Sequence, residues 1–365
     1  GGTRDARSQE PWEENTMVMV FSVTKGLAAM TLAVAHSQGY LDYDEKVATY
    51  WPEFAQHGKE DITVRQLLAH QAGLILLDET LTIEDIMDPV GLADLLARQE
   101  PQWPPGTQVG YHATTLGFYM GELIRRVDPE HRSLGRFFQE EIARPLGLEF
   151  YIGLPDSVPD SLVADIYFLS ALKTLEQWPR GLMVQLLNPR SRFSRVLQNP
   201  RGFQPNQRRY RSLELPSSNG IGQVRSIAKA YGVLAAGGTE LNLTGETLAE
   251  LAAPARPPTQ GPYDAIRGMD SYFSLGFEKP GPGIRFGSSR AAYGTSGFGG
   301  AFGFADPALE LGYAFASNKL GPSKRENPRE QACRLAVYRC ILRLESPPAP
   351  EVPLVADGAV ALDVQ

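Results

Sequence analysis

The chain is poor in cysteine, with two residues in 365, and its five scattered histidines form no HExxH. Neither a disulfide framework nor a metal centre has support, and no cofactor is implied. Cys333 and Cys340 stand seven apart in EQACRLAVYRCILRL. On a helix that separation rises about 10.5 Å, beyond the roughly 7 Å that a disulfide spans, so both are read as free thiols in a core. Positive charge is not in excess: 35 Lys and Arg stand against 42 Asp and Glu. A net charge of −7 argues against a nucleic-acid or anionic-membrane partner. The longest apolar stretch, Val18 to Ala35, is broken by Ser22, Thr24 and Lys25, which argues against a membrane span. The start GGTRD carries no methionine, so the lack of a signal peptide says little about compartment, with the cytoplasm slightly favoured. Oligomeric state is not legible.

What is present is an ordinary globular composition, 42% hydrophobic and 21% charged, long enough for one large domain or two smaller ones. Apolar spacing and stop residues predict helices over 22–38 (closed by Gly39), 63–69 (with Asp61 as its N-cap), 114–127, 225–236 and 328–344. The last should bury Cys333, Ala336, Val337, Cys340, Ile341 and Leu344 on one face. Alternating aromatics predict strands over 271–279 and in AFGFADP and LGYAFASN, the latter two joined by a turn at Asp306-Pro307. The arginine-rich stretch between roughly 180 and 215, with NPRSRFSRVLQNPRGFQPNQRRYR at its centre, reads as an irregular surface loop. The fold class is α+β: residues 1–50 and 215–365 would form an antiparallel sheet flanked by helices, and 51–214 a mainly helical region.

One short run asks for chemistry. FSVTKGLAAM, residues 21–30, continues as a helix apolar on almost every face, which is the pattern of a buried helix. A buried ammonium costs several kcal/mol unless it is paired or loses its proton, yet Lys25 stands there, three residues after Ser22. Serine and lysine so spaced share a helix face. Desolvation favours the neutral amine, a base near neutral pH. Two other S-x-x-K pairs exist, Ser170/Lys173 and Ser226/Lys229, and roughly one is expected by chance in a chain this long. Both lie on stretches where the lysine can reach water, so context selects Ser22/Lys25. The alternative is a lysine snorkelling from a half-buried helix.

The sequence resembles the serine β-lactamase and penicillin-binding superfamily, and within it the class C-like group that includes family VIII carboxylesterases. Four stretches in order carry the resemblance: FSVTKG; DITVRQLLAHQAGL (61–74); PPGTQVGYHATTLGFYMGELIRR (104–126) with EEIARPLGLEFYIGLP (140–155); and YGTSGFGGAFGFADP (293–307). The resemblance implies a β-lactamase-like fold with Ser22 as acylated nucleophile, Lys25 as its partner and Tyr111 as proton shuttle. It implies an oxyanion hole from the backbone N–H groups of Ser22 and Phe298, and substrate contacts from Thr295, Ser296 and Gly297. A free phenol, with pKa about 10, is a poor base, and a neighbouring cation improves it.

Two positions depart from the pattern. Ala113 stands where the second motif has asparagine, and Thr295 where the third has lysine or histidine, which favours neutral esters over carboxylate-bearing β-lactams. Arg290 could substitute as the cation. His70 matches a structural loop and His112 a variable position, so neither is read as a general base. The implied activity is hydrolysis of small carboxylic esters through an acyl-serine, with a small-molecule ester as the partner. The alternatives are a β-lactamase or D-amino-acid peptidase, and a non-catalytic scaffold of the same fold. Only 21 residues precede Ser22, and EVPLVADGAVALDVQ (351–365) reads as a hairpin around Asp357-Gly358. Either that tail supplies strands to a circularly permuted sheet, or it is an unrelated tail.

Overall fold

A computed structural model of the chain describes residues 1–5, 7–168, 184, 187, 188, 191–197, 199–321 and 327–343. Ser170/Lys173 and the tail 351–365, with the permutation read from it, lie outside these residues. The fold is the expected α+β type, with mixed helices and small antiparallel sheets. A hairpin pairs Thr3–Asp5 (β1) with Glu10–Pro11 (β2). Val18–Met19 (β3) leads into Val23–Ser37 (α1), followed by Val64–Leu68 (α2), Pro89–Arg98 (α3) and Thr115–Val127 (α4). Phe150–Tyr151 (β4), Arg192–Leu197 (α5), Ile221–Gly222 (β5) and Val224–Ala235 (α6) come next. Tyr263–Asp264 (β6), Met269–Asp270 (β7), Tyr293–Ser296 (β8), Phe302–Asp306 (β9), Leu311–Phe315 (β10) and Pro328–Ile341 (α7) complete the elements used below.

α1 is the axis of the core. Every residue from Val23 to Ala35 is buried, Lys25 included. The helix packs against α4 on one side and β8 on another. Its approach to β8 is close: a Cβ on Gly26 would stand 2.0 Å from the Tyr231 hydroxyl oxygen and 2.6 Å from Thr295 Oγ1. The main sheet runs in the order β10-β9-β8, all antiparallel, with Ser296 opposite Phe302 and Leu311 opposite Asp306. α6 lies against β9 and β10. Gly312 admits it, since a Cβ there would sit 2.2 Å from the Ala228 carbonyl oxygen and the Gly232 nitrogen. β3 and β4 flank β5 in a second small sheet that fixes the chain just before α1.

The predicted helices form with small shifts at their ends. α2 is capped by Thr63 rather than Asp61. Thr63 and Gln66 form a reciprocal capping box, while the Asp61 carboxylate takes Lys46 Nζ at 2.6 Å. The strands β9 and β10 form as read, joined by a 3-10 turn at Pro307–Leu309 and by Glu310 in the left-handed region.

Four readings are corrected. Residues 271–279 are not a strand but a tight bend in which Phe273 bridges Glu278. Gly276, with φ of +85°, gives its N–H to the Leu68 carbonyl. The aromatic alternation arises because Phe273 and Phe277 each enter a separate packed cluster. The C-terminal helix buries a different face. Glu330 and Arg334 pair at 2.8 Å under it, and Val337 and Tyr338 meet the Phe286, Phe302, Phe304 and Tyr313 cluster. Cys333 and Cys340 are free and exposed, and Ala336 is exposed too. The arginine-rich stretch carries α5 and a helical turn at Arg208–Arg211, where Arg211 is buried against Asp160 and Asp165 at 2.9 Å. Finally, Ser226 is buried and accepts from Glu149 N at 3.0 Å, rather than lying on a solvated face.

Gly26→Ala should cost about 1–3 kcal/mol by overpacking the α1–β8 contact, read as a lowered Tm in thermal unfolding. An unchanged Tm would mean that α1 has room to shift.

Candidate active site

The chain enters α1 through Phe21, a buried phenylalanine at φ +49°. That conformation costs roughly 1–2 kcal/mol for a residue with a Cβ. Ser22 follows as the N-cap residue, half-buried, and its side chain makes no capping hydrogen bond. Its Oγ lies 3.2 Å from Lys25 Nζ. The amine is 1% exposed and also donates to the Ala113 carbonyl at 2.6 Å and the Ser217 carbonyl at 2.9 Å. Burial pushes the Lys25 pKa below its ordinary value, and the Tyr111 phenol, through charge and hydrogen bonding, acts in the opposite sense. A neutral amine has two N–H bonds and one lone pair. In that state, donation to the two carbonyls would leave the lone pair for the Ser22 hydroxyl; in the charged state Nζ donates to Ser22 Oγ as well.

Tyr111 comes from the strand-like segment beside β6, where its N–H meets Asp264 Oδ1 at 3.1 Å. Lys25 Nζ stands 4.9 Å from the centre of its ring. The predicted trio of Ser22, Lys25 and Tyr111 is therefore together in space. His70 and His112 are structural neighbours of this group. His112 Nε2 accepts from Leu74 N at 3.1 Å, its Nδ1 meets the Gly110 carbonyl at 2.7 Å, and its own N–H goes to His70 Nδ1 at 3.0 Å. Burial pushes His112 down to about 4 and His70 well below its ordinary range, so both rings are neutral near pH 7.

The third motif divides inward and outward. Thr295 turns under α1, bonded to the Tyr231 hydroxyl at 2.8 Å and to the Val23 carbonyl at 3.2 Å, and is 4% exposed. Ser296 is half-exposed, and its hydroxyl donates to Glu278 at 2.9 Å. Gly297 passes close over the start of α1, where a Cβ would be 2.5 Å from the Val20 carbonyl. Phe298 follows, its ring edge-on to Phe21 at 5.7 Å. Among the described residues neither the Ser22 nor the Phe298 N–H meets a protein acceptor. Ala113 supplies its carbonyl to Lys25, while its side chain joins Ile75, Leu76, Trp103, Val196 and Ile266 in an apolar cluster.

A family model described as "Beta-lactamase" matches residues 1–337. The chain belongs to the Beta-lactamase family. It is 31% identical over 330 residues to "Esterase/beta-lactamase LipL" of Mycobacterium tuberculosis, covering 87% of this chain and 73% of that one. Among solved structures it resembles a family VIII carboxylesterase, with 36% identity, a TM-score of 0.79, and coverage of 93% and 88% of the two chains. EstA from Arthrobacter nitroguajacolicus Rue61a is similar at 32% identity, a TM-score of 0.79, and coverage of 91% and 86%.

Within this family member the sequence reading missed one cluster. Arg267 lies with its guanidinium carbon 3.9 Å from the centre of the Tyr111 ring and pairs with Glu278 at 2.5 Å. Arg290, the substitute cation considered above, is exposed. The stretch YDAIRG around Arg267 has no periodicity or motif, and a single arginine among 35 basic residues gives no signal of its own. Among the described residues no group of His, Cys, Asp and Glu is arranged to hold a metal ion, and no helix is long and apolar enough to cross a membrane.

The neutral histidines have a consequence for acid stability. Between about 4 and the ordinary value of 6.5 the unfolded chain binds a proton at His112 that the native chain refuses. Unfolding free energy should therefore fall as pH drops through that window, by about 1.4 kcal/mol per pH unit for such a group. Imidazole NMR of His112 should show a midpoint near 4. A midpoint at the ordinary value would contradict the buried neutral ring.

Proposed function

We propose that this chain hydrolyses small, uncharged carboxylic esters through an acyl-Ser22 intermediate. The observation that carries the reading is the buried Lys25 amine, which lies 3.2 Å from Ser22 Oγ and donates to the carbonyls of Ala113 and Ser217 at 2.6 and 2.9 Å. As Oγ bonds to the ester carbonyl carbon, its proton passes to Lys25. The oxyanion that forms is met by the N–H groups of Ser22 and Phe298. Collapse breaks the bond to the alkoxy oxygen, which leaves as the alcohol with a proton from Tyr111, itself reprotonated by Lys25. Water then attacks the acyl carbon, gives its proton to the Lys25–Tyr111 pair, and releases the acid as Ser22 regains its hydrogen. The two-region division is part of this proposal: Ser22, Lys25 and Phe298 come from residues 1–50 and 215–365, Tyr111 and Ala113 from 51–214.

Selectivity for neutral esters is supported by the third motif. Thr295 points away under α1, and the Ser296 hydroxyl is engaged by a carboxylate, Glu278. Neither offers a cation to a substrate carboxylate. β-Lactam hydrolysis is the second reading, favoured by the family and by the two activities in the name of LipL.

Intact mass after treatment with a fluorophosphonate should show one adduct, located at Ser22 and absent from Ser22→Ala. Equal labelling of that variant would remove Ser22 from its role. Lys25→Ala and Tyr111→Phe should each lower kcat/KM for p-nitrophenyl acetate by about 10²–10⁴-fold with folding retained. Nitrocefin turnover should be far below ester turnover in the parent; comparable rates would favour the second reading.

A further inference from the structure

The Tyr111 ring is held by a group of side chains that the ester reading does not use. Asp264, fully buried in the β6 strand, accepts the N–H groups of Tyr111, Ile266 and Arg267 on one oxygen, at 3.1, 2.8 and 3.0 Å. It thereby fixes the segment that carries Tyr111 to the turn that carries Arg267. Among the described residues its other oxygen has no hydrogen-bond partner, and it lies 4.0 Å from Arg267 Nε. The guanidinium stacks over the phenol ring at 3.9 Å and over Phe273 at 5.3 Å. Glu278, 4% exposed at its side chain, holds the guanidinium at 2.5 Å and also takes the N–H and hydroxyl of Ser296. A chain of contacts therefore runs from the phenol through a cation and a carboxylate to the third motif.

A cation against the face of a phenol attracts the ring, and attracts it more strongly once the ring is an anion. We propose that Arg267, pinned by Asp264 and Glu278, is a positioning residue that holds Tyr111 and favours the base form of the Tyr111–Lys25 pair. This rests on the ester-hydrolase reading. The charged and titratable groups around the ring are Lys25 from α1, Arg267 and Asp264 from the β6 turn, His70 beyond α2, and His112 beside it. Glu278 reaches it through Arg267. Both histidines are held neutral by burial, so with Lys25 as a neutral amine the permanent positive charge beside the ring is that of Arg267, and Asp264 and Glu278 are the carboxylates next to it. Arg267 also opposes, and Glu278 supports, the charged form of Lys25. Lys25 thus responds to this cation in the direction that favours its neutral form.

The test is the pH profile of kcat/KM for p-nitrophenyl acetate. Arg267→Met keeps much of the stem and removes the charge. Its acid limb should move to higher pH by about one unit, roughly tenfold in rate on the acid side, and Arg267→Lys should return most of the shift. Glu278→Gln removes the counter-charge and should move the limb the opposite way, to lower pH, which a merely structural loss would not do. An Arg267→Met profile superimposable on the parent, or a Glu278→Gln limb that stays or moves to higher pH, overturns the proposal. Should Arg267→Met fail to fold by circular dichroism, the Glu278→Gln arm decides. Stoichiometric labelling of Ser22 by a fluorophosphonate with unmoved profiles removes Arg267 alone, whereas a parent that is not labelled at Ser22 removes the ester-hydrolase reading beneath it.

Discussion

The structure turns on an amine with no route to water. α1 is buried on all faces, so Lys25 cannot snorkel, and the cost of hiding its charge must be met by partners or by deprotonation. Two carbonyls partner it, and each is held by its own frame. Ser217 lies in a turn organised by Asn219, whose side chain bonds Leu215 N, Tyr210 O and Leu213 O. The Ser217 hydroxyl accepts Gly117 N at 2.7 Å, which locks that turn to the first turn of α4. Ala113 stands two residues before the same helix. The frame that satisfies the amine is thus the frame that delivers Tyr111, and the two cannot be displaced separately.

Backbone groups do much of the polar work around Ser22, and their approach depends on where side chains are missing. Gly26 lets α1 touch β8, and Gly297 lets the end of β8 cross Val20. Gly117 does the same for the Ser217 turn, where a Cβ would stand 2.4 Å from Ser217 N. The left-handed Phe21 turns the chain into Ser22, and an edge contact holds its ring against that of Phe298. Conformational strain at one residue is offset by packing that the surrounding core makes obligatory.

How much of this was legible depends on the range of the interaction. α1, α4 and α6 follow from local periodicity and stop residues, and the pairing of Ser22 with Lys25 follows from one helical turn. Tyr111 became legible through the resemblance, because 88 residues separate Ala113 from the lysine its carbonyl meets. What failed was decided by tertiary partners. The alternation in 271–279 is real, but Gly276 folds it back, and each aromatic finds a different cluster. The last helix hides an ion pair and a tyrosine hydroxyl instead of its sulfur-bearing face, because Tyr338 reaches Asp306 at 2.7 Å and Arg334 reaches Glu330. Long polar side chains bury their stems where their tips find partners, and the apolar pattern does not show this.

The two departures from the family motif then read as parts of one arrangement. Threonine at position 295 can turn under α1 and bond Tyr231, where a lysine would need a charge partner in a space already filled by Gly26 and the Tyr231 hydroxyl. Alanine at position 113 lets Val196, Trp103 and Ile266 close against the segment from outside, which shields the Lys25 carbonyl partner from water. Positive charge near the phenol comes instead from Arg267, brought by a different loop and neutralised by Glu278. An arginine already paired with a carboxylate offers little charge to a substrate carboxylate, which agrees with the proposed preference for neutral esters.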